Sequence, residues 1–128
     1  MPTWTELQDY TRRKYTLEDD QPAMMSMTWT YDDGRHQKIV LRRYEAFGRQ
    51  MIEFKSPFAR REHVSPEELL RRNSELPLAT IAQSGDVYLA VYNVLLEHLH
   101  LDDFDLIVSR VASVADSLEA EYSKADYF

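Results

Sequence analysis

Apolar residues recur at helical spacing in three stretches of this chain and alternate with polar ones in the stretches between. Each helical stretch opens on a small polar residue with an acid three positions later: Thr3 with Glu6, Ser65 with Glu68, Asp102 with Asp105. That pairing is the signature of a helix N-cap and its reciprocal box. The pattern predicts the order α-β-β-β-α-β-β-α, an α+β fold with an antiparallel five-stranded sheet and a long C-terminal helix packed on it.

The first predicted helix runs from Thr3 to about Lys14. Trp4 and Leu7, with Tyr10 or Thr11, share one face, and Arg12, Arg13 and Lys14 complement its last carbonyls. The polar stretch Glu18-Asp19-Asp20-Gln21-Pro22 then reads as a helix breaker. From Met24 to Tyr31 the side chains alternate. Met25, Met27, Trp29 and Tyr31 point one way; Met24, Ser26, Thr28 and Thr30 point the other. Asp32-Asp33-Gly34 supplies a turn. A second strand returns from Lys38 to Phe47, with Ile39, Leu41 and Arg43 opposite Val40, Arg42 and Tyr44. Gly48 turns the chain into a third strand from Arg49 to about Lys55, completing a meander.

Ser65-Pro66-Glu67-Glu68 starts the second helix, which ends near Asn73 or Ser74, before Pro77. Leu78–Ser84 reads as the fourth strand, and Ser84-Gly85-Asp86 as a hairpin turn. The fifth strand, Val87 to Leu95 or Leu96, is apolar on both faces, with Leu89, Val91 and Leu95 on one side and Tyr88, Ala90, Tyr92 and Val94 on the other. Such a strand lies under a helix and against a second cover, for which another subunit is one candidate. The last helix is expected from Asp102 to about Lys124, with Leu101 and Leu106 as a staple across its start. Phe104, Ile107, Val108, Val111, Ala115, Leu118 and Tyr122 form its apolar stripe. The tail Ser123–Phe128 is expected to fray.

Composition narrows the class. A length of 128 residues fits one domain, expected to span 1–128. No cysteine is present, which excludes disulfides, thiolate nucleophiles and Cys-ligated zinc. The start MPTWTELQDY has neither the basic region nor the apolar stretch of a signal peptide, and no run reaches membrane-spanning length. A cytoplasmic location is expected, with no membrane partner. The net charge of −7 argues against a general nucleic-acid binder. It is unevenly placed: residues 1–64 carry 11 Lys/Arg against 10 Asp/Glu, and residues 65–128 carry 4 against 12. A solvated acidic helix face accounts for that imbalance.

Few residues point to chemistry. His98 and His100 flank Leu99, with Asp102 and Asp103 following, so a small metal-dependent protein or enzyme is the alternative reading. A structural loop explains the same residues, and the expectation is no catalytic residue, no metal and no cofactor. His36 and His63 have no reactive neighbours in sequence. Asp102, Asp103 and Asp105 lack the glycine and distal glutamate of a calcium loop. The pairs Arg12-Arg13, Arg42-Arg43, Arg60-Arg61 and Arg71-Arg72 would form an anion patch only if the fold brought them together. No nucleophile elbow, P-loop or dinucleotide fingerprint occurs. Met24, Met25, Met27 and Trp29 suit either core packing or a surface that accepts varied apolar partners.

The element order, the acidity and the size resemble the type III secretion chaperone-like fold, and within it the YbjN-like family. The resemblance is carried by Ser56-Pro57 closing the third strand, the Ser65-capped helix, Gly85-Asp86 before the apolar strand, and Val111-Ala112 with Ala115-Asp116-Ser117-Leu118 in the final helix. It implies a non-catalytic protein-binding module, chaperone-like or regulatory, acting as a homodimer on a client or regulatory protein. It further implies a dimer interface at Leu69, Leu70, Leu78 and Ile81, and a client patch at Trp4, Leu7, Met25 and Trp29.

Overall fold

The computed structural model describes residues 2–123. They form α1 (Trp4–Lys14), β1 (Leu17–Gln21), β2 (Met24–Thr30), β3 (His36–Ala46), β4 (Arg49–Arg60), α2 (Pro66–Asn73), β5 (Thr80–Ser84), β6 (Val87–Leu95), a 3-10 turn (Leu96–His98) and α3 (Leu101–Tyr122). All strands join one antiparallel sheet in the order β1-β2-β3-β4-β6-β5. The sheet therefore has six strands, not five.

The additional strand is the acidic stretch read above as a helix breaker. Asp and Glu have little strand preference of their own. Tertiary partners recruit them: Leu17 lies opposite Met27 and packs on the core, and Ser26 Oγ donates to Asp19 at 2.6 Å. Arg12 reaches across from α1 to bond Asp20 through Nε at 2.7 Å and a terminal guanidinium nitrogen at 2.9 Å.

β4 also exceeds its expected length, continuing past Lys55 to Arg60. It carries Pro57 although it lies inside the sheet, because the register shifts between Pro57 and Ala59. Proline has no N–H to give, and a bulge is where the ladder does not require one. The extension brings Phe58 and Ala59 into the core, both fully buried.

α1 and α3 cover the same face of the sheet. Beneath them Leu7, Met25, Ile39, Ile52, Phe54 and Phe104 form one buried cluster; Phe58, Leu69, Tyr88, Ala115 and Leu118 form a second, beneath α2 and the end of α3. Each fully buried large side chain contributes about 1.5–3 kcal/mol of transfer free energy. The inward positions alternate as read from the sequence. On the face of β6 opposite Tyr88 and Ala90, Val91 is buried while Leu89 and Leu95 are half-buried, so the described residues cover that face in part.

Two of the three helix starts are as expected. Thr3 Oγ accepts from the Glu6 N–H at 3.1 Å, and Ser65 Oγ from Glu68 at 3.3 Å, with Pro66 at the first helical position. The third differs. α3 begins at Leu101, its N-cap is His100, and no side chain caps it. Asp102 and Asp103 lie within its first turn, where their charge complements the free N–H groups. The expected staple is lost with that start, since Leu101 is itself the first helical residue and no longer precedes the cap.

Candidate protein-binding surfaces

The four residues expected to form a client patch are core residues here. Trp4, Leu7 and Met25 are buried. Trp29 is half-buried, packing against the core with its ring 6.2 Å from that of Tyr15. α1 covers them and is fastened at several points. Trp4 Nε1 donates to the Pro22 carbonyl at 2.8 Å, and Gln8 Nε2 to that of Gln21 at 3.2 Å. From α3, Asp105 accepts from Lys14 Nζ at 2.7 Å, from the Tyr10 hydroxyl at 2.5 Å and from the Tyr15 hydroxyl. Partial burial opposes the charge on Asp105, but Lys14 and the two phenols outweigh it and hold its pKa below the ordinary value. Burial, reinforced by Asp105, pushes the Tyr15 hydroxyl up. A partner would reach the four residues only by lifting α1.

The residues expected at a dimer interface separate into two places. Leu69 is buried under α2, whereas Leu70 beside it is 72% exposed. Leu69, Leu70 and the half-buried Ile81 all line a concavity of about 180 Å³ between α2 and β5, with Pro66, Asn73 and Tyr88. Leu78 does not belong to it. It precedes β5 with φ +63° and lies against the flank of α3, near Leu106 and Val114. A left-handed leucine costs about 1–2 kcal/mol relative to its ordinary backbone.

The α2–β5 concavity has a polar contact that periodicity does not reveal. Asn73, the last residue of α2, bonds both backbone groups of Ile81: its Oδ1 accepts from the Ile81 N–H at 2.8 Å, and its Nδ2 donates to the Ile81 carbonyl at 3.3 Å. The side-chain amide imitates a neighbouring strand and occupies the middle of the β5 edge. The available contact surface is therefore the exposed side chain of Leu70 and the apolar wall beneath it.

The residues singled out for chemistry do not converge. His98 and His100 are exposed on either side of buried Leu99. Among the described residues no group of three or more His, Asp or Glu side chains is placed to hold an ion. The arginine pairs disperse. Arg12 pairs with Asp9 and Asp20, and Arg71 with Glu68 and Glu75. Arg42 pairs with Glu53 and stacks 4.4 Å from the Tyr44 ring centroid. Arg71 and the Tyr122 hydroxyl draw the Glu68 carboxyl down to about 2. Glu119, inside the apolar face of α3, is fully buried and meets the Arg35 guanidinium at 3.2 Å, while Arg35 Nε bonds Asp116 at 2.9 Å. Sequence reading missed this network because its partners lie 81 and 84 residues apart.

No described helix is long and apolar enough to cross a membrane. No family model matches the chain, and no curated protein matches it. Among solved structures, a chain in the crystal structure of the ExsC–ExsE complex has the same fold, with a TM-score of 0.64 over 93% of this chain and 95% of that one. The two share 11% of their residues, so the likeness is one of fold.

Proposed function

We propose that the protein is a non-catalytic binding module, chaperone-like or regulatory, that acts as a homodimer and holds a polypeptide segment of a client protein. The observation that carries this reading is the α2–β5 surface, where a large apolar side chain, Leu70, stands in solvent beside an apolar concavity. An exposed apolar surface of this kind marks a contact site. The fold supports the same reading, because it is shared with a chain found in a complex between two proteins. The narrower YbjN-like resemblance is not needed for it.

Asn73 defines the geometry of the contact. Strand addition at β5 would have to displace its two bonds to Ile81, so two copies meet through α2 and its groove instead of through a continuous sheet. Sedimentation equilibrium tests the dimer. The wild type is expected at twice 15.1 kDa, and Leu70→Asp at the monomer mass with an unchanged far-UV spectrum. A monomeric wild type would refute it. Affinity purification from the native host, with mass spectrometry of what stays bound, tests the client. One polypeptide at near-stoichiometric yield is the expected result, and a protein that purifies without any partner would count against it.

A further inference from the structure

A second apolar surface lies away from the α2–β5 concavity, on the flank of α3. Its first part, about 290 Å³, is enclosed by Pro77, Leu78, Leu106, Ile107 and Val114, with Arg110 across it. Its continuation, about 270 Å³, shares Pro77, Arg110 and Val114 and extends along α3 to Ser117 and Leu118. Two of the few large exposed apolar residues wall it, Leu78 at 43% and Leu106 at 51%. Leu78 is held there by a left-handed backbone that a leucine adopts only under strain.

Charge narrows the occupant. Residues 65–128 carry only 4 Lys/Arg against 12 Asp/Glu, yet Arg72 and Arg110 both line this groove. Arg72 is engaged by Glu121 at 3.4 Å. Arg110 is exposed among apolar side chains and has no acidic partner among the described residues. A guanidinium with no acidic partner, beside apolar side chains, offers an incoming carboxylate a charge-assisted hydrogen bond.

Backbone chemistry narrows it further. α3 satisfies its own amides and carbonyls along its length, and Pro77 has no N–H to offer. A strand laid in the groove would leave its backbone groups facing apolar side chains without partners, whereas a helix brings its own hydrogen bonds. From Leu106 to Leu118 the groove follows α3 for about 18 Å, or about three helical turns.

We infer that the groove between α3 and the α2–β5 connection docks an amphipathic helix of a partner protein, with apolar residues on its buried face and a carboxylate opposite Arg110. This extends the protein-binding reading to a second surface, and its test is independent of the dimer.

The probes are three synthetic helical peptides of about 14 residues, with leucines at i, i+3, i+4 and i+7 and a Glu, Gln or Lys beside them. Each is labelled and titrated by fluorescence anisotropy. The Glu peptide is expected to bind the wild type about two- to fivefold more tightly than the Gln peptide. Arg110→Glu should remove that preference and favour the Lys peptide, with an unchanged urea midpoint. Leu106→Ser should weaken all three. Leu70→Asp should leave the titrations unaltered, whatever it does to the dimer. The inference is overturned if no peptide saturates, if Arg110→Glu does not alter the charge preference, or if Leu70→Asp abolishes binding. It is equally overturned if Leu106→Asp converts a dimer to a monomer in sedimentation, which would give the groove to a second copy.

Discussion

The two edges of the sheet are protected by different means. At one edge β1 presents Glu18, Asp19 and Asp20, and α1 holds it through Arg12, Gln8 and Trp4. At the other edge β5 carries the uncharged sequence Thr80-Ile81-Ala82-Gln83-Ser84 and is covered at Ile81 by one neutral amide. Charge repels any approaching strand wherever it lands. An amide fills a single position and leaves the apolar wall around it available. Leu70 is exposed beside that wall, while the most exposed aromatic, Phe47, stands on the β3–β4 turn, away from both edges.

The largest expected effect lies at the β1 edge. Trp4→Ala removes a buried ring together with its bond to Pro22, and about 3–5 kcal/mol of stability is expected to go with it. Urea denaturation reads this as a lower midpoint. A loss confined to β1 and β2 in hydrogen exchange would show that α1 is a local fastening, whereas a uniform loss would place it in the common core. Arg35→Ala tests the tie between the β2–β3 turn and α3. It leaves buried Glu119 without its guanidinium, at a cost of about 3 kcal/mol, again measured in urea.

Asn73→Ala probes the β5 edge. It is expected to cost about 1 kcal/mol, to speed exchange of the Ile81 amide, and to promote self-association at high concentration. Unchanged sedimentation of this variant would show that the amide is not what keeps the β5 edge closed. Gln83→Lys transfers the β1 device to β5. Its stability should stay within about 0.5 kcal/mol of wild type, and combined with Asn73→Ala it should suppress the association.

Acid separates the edges without mutation. Arg12 holds Asp20 below its ordinary 3.8, and Lys14 with the two phenols does the same for Asp105. A lowered folded-state pKa gives stability that is fully present above about 3.8 and is lost as pH falls through the folded value. The α1 and β1 fastenings should therefore loosen as pH drops below that point. The Asn73–Ile81 pair does not titrate, whereas the Glu68 contribution at α2 is lost over a wider window, from its ordinary 4.5 down to about 2. Hydrogen exchange compared between pH 5 and pH 3 should show protection falling in α1, β1 and α2, while the Ile81 amide held by Asn73 keeps its protection. Equal loss at both edges would mean that the carboxylates do not distinguish them.

Most of the fold was legible in the sequence because the features that specify it are local. Alternation in β2, β3 and β6 assigned their inward faces, and the Thr3 and Ser65 caps located two helix starts, since each involves residues a few positions apart. The same reading failed wherever the partner was distant. The stretch from Leu17 to Gln21 has no strand character until Arg12 and Ser26 engage it. Asp105 looked like part of a cap, but three side chains of the α1 segment claim its carboxylate. Glu119 fell among apolar residues because Arg35 accompanies it.

The candidate surfaces show the same division. The resemblance to secretion chaperones implied a dimer interface at Leu69, Leu70, Leu78 and Ile81 and a client patch at Trp4, Leu7, Met25 and Trp29. Only the tertiary structure decided which of them face solvent. It buried Leu69, Trp4, Leu7 and Met25, left Trp29 half-buried and Leu70 exposed, and turned Leu78 through a left-handed backbone toward α3. Hydrophobicity and spacing are properties of the chain, but exposure depends on what packs across from each side chain.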